Sequence, residues 1–217
     1  MEQLLISLPV LIFSVVVHEV AHAWVARTQG DNTAAMLGRI TLNPLPHLDP
    51  FGSILVPGIM ALTGGPILGW AKPVPINARN FRNYKKGDIL VSLAGVASNL
   101  LLAVLFTLLL AVAMLATRLA PGADGFLGLL QVMFFVGIRI NFLLMLFNLI
   151  PVPPLDGSHV FYYLLPLKLA VRYRRIGQYG TLVLLAVLYL GGFTFIGVPV
   201  RLLTGVAVSA AQAMAGA

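Results

Sequence analysis

The chain has 217 residues, 59% of them hydrophobic and only 10% charged, where an ordinary soluble domain carries about a quarter charged residues. That balance excludes a typical water-soluble domain and fits a polytopic membrane protein. Fourteen Lys and Arg against seven Asp and Glu give a net charge of +7, and there is no cysteine, so disulfides and thiolate metal sites are excluded. The basic residues fall in two short segments beside apolar stretches, a placement that fits a membrane surface and argues against nucleic acid.

Leu4 to Ala26 is the first predicted span, ending near Arg27 and the turn-forming Gly30, Asp31 and Asn32. It lacks a basic leader and holds His and Glu inside its apolar run, so it reads as a retained helix rather than a cleaved signal peptide. Residues 33–50 are more polar and suit a looped connection. The apolar run Phe51 to Leu62 is too short to cross a bilayer, which needs about 20 residues, and is expected to be re-entrant or interfacial. In Gly69 to Ile76, prolines two apart predict extended backbone, an edge strand or a β-hairpin. Arg79, Arg82, Lys85 and Lys86 precede a long span from Ile89 to Ala116, and a tight loop at Pro121 to Gly125 leads into a span from Phe126 to Phe147.

The Pro-rich run Asn148 to Gly157 breaks that pattern, and a short helix with Lys168, Arg172, Arg174 and Arg175 follows. The tail from Gly177 to Ala215 predicts two further apolar segments divided near Gly197 to Pro199. The expected fold is an all-α polytopic membrane protein, a bundle of about five to six transmembrane helices with a short extended, β-hairpin or re-entrant segment between the first spans. One domain is expected over residues 1–217, its core over about 4–165 and C-terminal helices over about 176–215. Both basic clusters flank spans on the side that the positive-inside rule makes cytoplasmic, which puts His18, His22 and Asp156 toward the cytoplasmic half.

His18-Glu19-Val20-Ala21-His22 sets two imidazoles four residues apart on one helix face, the spacing at which both reach a single metal ion. Ionisable side chains inside an apolar span are expensive and rarely occur without a partner or function. With no cysteine in the chain, the ion is expected to be Zn2+ held by imidazole and carboxylate. Zinc acidifies water, and the adjacent Glu19 carboxylate is placed to take its proton, which is peptide-hydrolysis chemistry. A third ligand is needed. Asp156 is the choice, because it follows a Pro-rich break where unwound backbone inside a membrane must line a cavity or pack in protein. His47 and His159 are its rivals. A transporter or channel, or a non-catalytic scaffold, is the competing class for such a buried polar cluster.

With these residues in view, the chain resembles the compact prokaryotic branch of the site-2 proteases, from about Val16 to about Val160. The resemblance is carried by His18 to His22, Gly38 to Pro50, Gly69 to Pro75, Ala94-Gly95 with Asn99, and Asn148 to Gly157. It implies zinc on His18, His22 and Asp156, Glu19 as general base, and Asn148 positioning substrate or stabilising an oxyanion. It also implies regulated cleavage of membrane-embedded proteins, such as an anti-sigma factor or a signal-peptide remnant, in the cytoplasmic (inner) membrane, and no peptide-binding or nucleotide-binding domain. Val96 stands where the family usually has Pro, and Ser158 where a second Gly is frequent.

Overall fold

The computed structural model describes residues 2–49, 52, 55, 72–120, 122–187 and 193–216. Its long helices are α1 (Glu2–Gln29), α3 (Tyr84–Leu119), α4 (Asp124–Asn148) and α8 (Phe193–Met214), each long and apolar enough to cross a membrane. The short helices are α2 (Thr33–Met36), α5 (Asp156–Leu164), α6 (Leu167–Ile176) and α7 (Gly180–Val187), with single turns at Leu45–His47, Ala78–Asn80 and Gly177–Tyr179.

Four spans thus stand among the described residues, where the sequence predicts five to six. In the tail, α7 has 8 residues and reaches only about 12 Å. The predicted division at Gly197 to Pro199 is also replaced, because α8 runs through Pro199. Proline is tolerated inside spanning helices where neighbours re-satisfy the freed carbonyl, and α1 likewise contains Pro9. Apart from Gly52 and Leu55, the stretch Phe51 to Leu62 that is expected to be re-entrant lies outside the described residues, as do residues 69–71 of the expected hairpin. Residues 72–77 are extended, as their prolines dictate, but no strand is formed among the described residues.

The bundle inverts the soluble pattern. Along α1 the positions Val10, Ser14, His18, His22 and Ala26 recur every four residues and are all buried, whereas Leu5, Phe13 and Trp24 face outward. The polar groups therefore sit on the helix-facing stripe and the apolar ones face lipid. A core of Leu102, Phe106 and Leu110 from α3, Ile138 and Phe142 from α4, and Ala207 and Ala211 from α8 joins the spans. Val96, in place of the family's usual proline, is part of this core. At Gly137 a Cβ would come within 2.7 Å of the Phe106 ring, so glycine sets how closely α3 and α4 approach.

Direction follows from a few contacts. Arg82 donates its amide to the Gln29 carbonyl at 2.8 Å, bringing the end of α1 to the start of α3. Arg118, in the last turn of α3, donates to the Ala215 carbonyl at 2.8 Å just past α8. α8 consequently runs parallel to α3, and the basic residues before α3 and on α6 share one end of the bundle. Gly30, with φ +115°, turns the chain out of α1, and a side chain there would collide with the Asn80 carbonyl at 2.8 Å.

Asp31 then fastens the connection. Its carboxylate accepts from the Thr33 amide at 3.1 Å, the Asn77 amide at 2.7 Å and the Asn80 side chain at 2.8 Å. Burial alone would raise this carboxyl, but those hydrogen bonds outweigh it and hold the group below its ordinary range. A lowered folded pKa means stabilisation that is full above the unfolded value of 3.8 and lost as pH falls through the folded one. Asp31→Ala is expected to destabilise the protein by roughly 1–3 kcal/mol at pH 7, measured by thermal unfolding in detergent, with the difference from wild type shrinking in acid.

Candidate metal centre

The site is assembled from α1, α3 and the start of α5. His18 Nδ1 lies 2.6 Å from the Asn99 side-chain oxygen, and His22 Nδ1 lies 2.7 Å from the Val91 carbonyl. Both partners are acceptors, so each Nδ1 carries the proton and each Nε2 presents a lone pair. Those two Nε2 atoms stand 2.9 Å apart, and Asp156 Oδ2 lies 3.3 Å from each. Lone pairs facing one another at this distance repel unless a cation lies between them. Apart from the two imidazole nitrogens, Oδ2 has no hydrogen-bond partner.

This donor set fits zinc. Ligands held about 2.0–2.1 Å from a tetrahedral ion stand about 3.3 Å from one another, and two nitrogens with a carboxylate oxygen suit Zn2+. His18, His22 and Asp156 are the group among the described residues whose ligand atoms converge within 4.8 Å.

Local structure explains the convergence. Gly95 on α3 lies directly under the rings, where a Cβ would clash with His18 Cε1 and His22 Nε2. Asp156 opens α5, and a Cβ on the next residue, Gly157, would clash with the Leu149 carbonyl. The Pro-rich break therefore folds back on itself closely enough to aim Asp156 at α1. Ser158 is buried beside it.

Behind His18 runs a chain of side-chain amides. Asn99 donates to the Asn141 oxygen at 2.9 Å, and Asn141 donates to Ser14 Oγ at 2.9 Å and to the Gly137 carbonyl at 2.9 Å. The chain links α1, α3 and α4 and fixes the His18 tautomer. Sequence reasoning overlooked Asn141 and Ser14. The available signal was an Asn inside an apolar span, and a Ser four residues before His18 on the same face.

Glu19 accepts from the Val74 amide at 2.8 Å, so the carboxylate meets the extended segment and does not join the triad. Asn148, at the end of α4, donates to the Leu144 carbonyl at 3.0 Å, the contact of a helix-terminal side chain. Neither rival ligand approaches the triad. His47 is buried in the loop with Nε2 3.0 Å from the Thr41 carbonyl, and its own carbonyl accepts from Lys72 at 2.9 Å. His159 lies 3.1 Å from Asp88, which also accepts from Tyr163 at 2.9 Å. The Asp88 contact raises the His159 pKa above 6.5, against a burial that would lower it.

Residues 112–190 match Peptidase family M50. A Bacillus subtilis (strain 168) protein with the printed name "Putative zinc metalloprotease YwhC" is 43% identical over 177 residues, which cover 81% of this chain and 76% of that protein. The chain belongs to Peptidase family M50. A second relative, "Putative zinc metalloprotease Rip2" of Mycolicibacterium smegmatis, is 34% identical over 147 residues, 67% of the M50 chain and 52% of the relative, so the match spans about half of that protein. No solved structure matches. The stretch that matches the family contains Asn148 and Asp156, while His18 and His22 of this M50 protein lie before it.

Gly95→Ala is expected to lower zinc content sharply while leaving the helical spectrum intact, since its methyl group occupies the space of the rings. Asp156→Ala is expected to do the same by removing the third donor. Metal analysis of the purified proteins checks both, and full stoichiometry in either would remove that residue from the centre.

Proposed function

We propose that this protein is an intramembrane zinc metalloprotease that hydrolyses peptide bonds in or near transmembrane segments of other membrane proteins. The observation that carries the reading is the convergence of two imidazole lone pairs and a carboxylate oxygen, 2.9 Å and 3.3 Å apart, on helices apolar enough to span a membrane. Membership of a family whose relatives are named zinc metalloproteases supports it.

His18, His22 and Asp156 hold the metal. Zinc bound there supplies a Lewis acid that polarises the scissile carbonyl and acidifies water. Glu19 acts as general base, and the Val74 amide, bonded to one of its oxygens at 2.8 Å, orients the carboxylate and leaves the other oxygen to take the proton. Asn148 has one amide hydrogen on Leu144, which leaves a second to donate toward a developing oxyanion.

A helical substrate hides its carbonyls in its own hydrogen bonds and must unwind locally before attack. The extended residues 72–77 border Glu19 through Val74 and offer a surface for an unwound chain. Their amides are largely occupied, since Lys72 donates to His47, Val74 to Glu19 and Asn77 to Asp31, and Pro73 and Pro75 have none. Arg39 also occupies the Lys72 and Pro73 carbonyls, so substrate pairing falls to the backbone from Val74 to Ile76 and to side chains of this segment. The basic residues at the end of the bundle nearest the centre support a cytoplasmic-membrane protein with its active site in the cytoplasmic half. Single-pass proteins such as anti-sigma factors or signal-peptide remnants are the proposed substrates. A transporter or channel is less favoured, because His18, His22 and Asp156 converge as one metal-ligand group.

In proteoliposomes with a single-span substrate, Glu19→Gln is expected to keep its zinc and lose cleavage by at least about a hundredfold. Asn148→Ala is expected to lower kcat more than it raises KM. Undiminished cleavage by Glu19→Gln, or in wild type stripped by a chelator, would sink the assignment.

A further inference from the structure

Two arginines inside spans take no part in the metal centre. Arg139 on α4 and Arg201 on α8 line one cleft of about 520 Å³, with Phe135, Val200, Thr204 and Val208. Both are exposed, and neither has an ion-pair partner among the described residues.

Their depth can be read from neighbouring contacts. Asn141 accepts from Asn99 and Gly137 faces Phe106, so Arg139 stands level with residues 99–106 of α3. Ala215 is tied to Arg118, and about 21 Å back along the two parallel helices Arg201 is level with Val104. The backbone positions of both arginines therefore stand near the middle of the apolar run Ile89 to Ala116, about 20 Å from either end of it. That is too deep for an arginine to snorkel to a headgroup.

The chain itself offers no counter-charge at that depth. Glu19 and Asp156 belong to the metal centre, Asp31 and Asp49 to the connection after α1, and Asp88 to His159. Glu2 and Asp124 lie at the far ends of their helices. A second copy of the chain thus has no carboxylate to supply either. A further signal points the same way: Thr204 is 6% exposed and lines the cleft, and its hydroxyl has no hydrogen-bond partner. Arg201 folds back over Gly197, where a Cβ would lie 3.4 Å from Nη1, and the Cβ position of Gly205 on the same wall meets nothing within 4 Å.

We propose that the cleft between α4 and α8 docks a membrane-spanning segment of a partner protein that carries an aspartate or glutamate near its middle. Two cations and a free hydroxyl call for an acceptor-rich anion. A lipid phosphate stays near the membrane surface, and a small soluble anion would have to cross hydrocarbon unaccompanied. A carboxylate borne by a spanning helix arrives at the right depth, and the apolar walls at Phe135, Val200 and Val208 pack its flanking residues. The glycine at 205 allows close helix approach. This inference rests on the membrane-spanning arrangement and not on the peptidase assignment.

The test uses the full chain carrying Glu19→Gln in phosphatidylcholine vesicles, with fluorescently labelled single-span Leu/Ala peptides bearing a central Asp, Asn or Leu. Energy transfer is expected to report at least tenfold tighter binding of the Asp peptide. Arg139→Gln with Arg201→Gln should erase that preference, and the paired Lys substitutions should retain part of it. Zinc content and melting temperature verify that the double variant is folded; if it is not, the peptide series on the parent protein decides alone. Equal binding of the three peptides, or an Asp preference untouched in a folded Gln variant, overturns the proposal. So does loss of the preference on adding phosphatidylglycerol, which would assign the cleft to lipid. Binding is read without cleavage, so failure of the docking surface and failure of the peptidase reading appear in different measurements.

Discussion

Three electron-rich atoms are forced together where water is scarce, and the arrangement of the spans follows from that constraint. With both Nδ1 atoms committed to acceptors, the Nε2 lone pairs of His18 and His22 face each other at 2.9 Å with a carboxylate oxygen 3.3 Å from each. An unpaired buried carboxylate costs several kcal/mol, and juxtaposed lone pairs add to it. A bound cation turns that repulsion into attraction, so metal affinity and folding are linked in this bundle. The order of the outer contacts matters as much as the ligands, because the Asn99 oxygen and the Val91 carbonyl decide which ring nitrogens are free.

The scaffold meets the constraint with small residues and amides. Gly95 leaves room for two rings against α3, and Gly157 lets the start of α5 press on the Leu149 carbonyl. Ser14, Asn141 and Asn99 carry hydrogen bonds across α1, α3 and α4 to His18. In a hydrocarbon setting, where an unmet polar group is expensive, such a chain also sets the register of the three helices.

A second polar system surrounds the extended segment. Arg39 donates to the Lys72 carbonyl at 2.9 Å, the His47 carbonyl accepts from Lys72, and Asp31 and Glu19 take the amides of Asn77 and Val74. Residues 72–77 are thereby clamped with no strand partner among the described residues, and the Val74 amide couples the position of the Glu19 carboxylate to that segment. The arginines of the cleft lie on α4 and α8, whereas the converging ligand atoms come from α1 and α5.

Much of this was legible in the residues. Hydropathy gave the spans, because a run of apolar side chains has few stable places other than lipid. The four-residue spacing of His18 and His22 gave the metal, because helix geometry fixes that pair locally. The prolines gave the extended backbone at 72–77 by restricting φ. Three-dimensional packing decided the rest. Asp156 had two histidine rivals, and only the fold, which brings α5 to α1 and leaves His47 on Thr41 and His159 on Asp88, selects among them. Among the described residues four helices are long and apolar enough to span, fewer than the five to six expected, and Pro199 was read as a break although a membrane helix continues through it. Asn141 and Ser14 showed along the chain only as polar residues on apolar helices, which does not name the partners they meet. Local periodicity reports which face a residue lies on, but which distant face it meets depends on how whole helices pack, and no spacing along the chain encodes that.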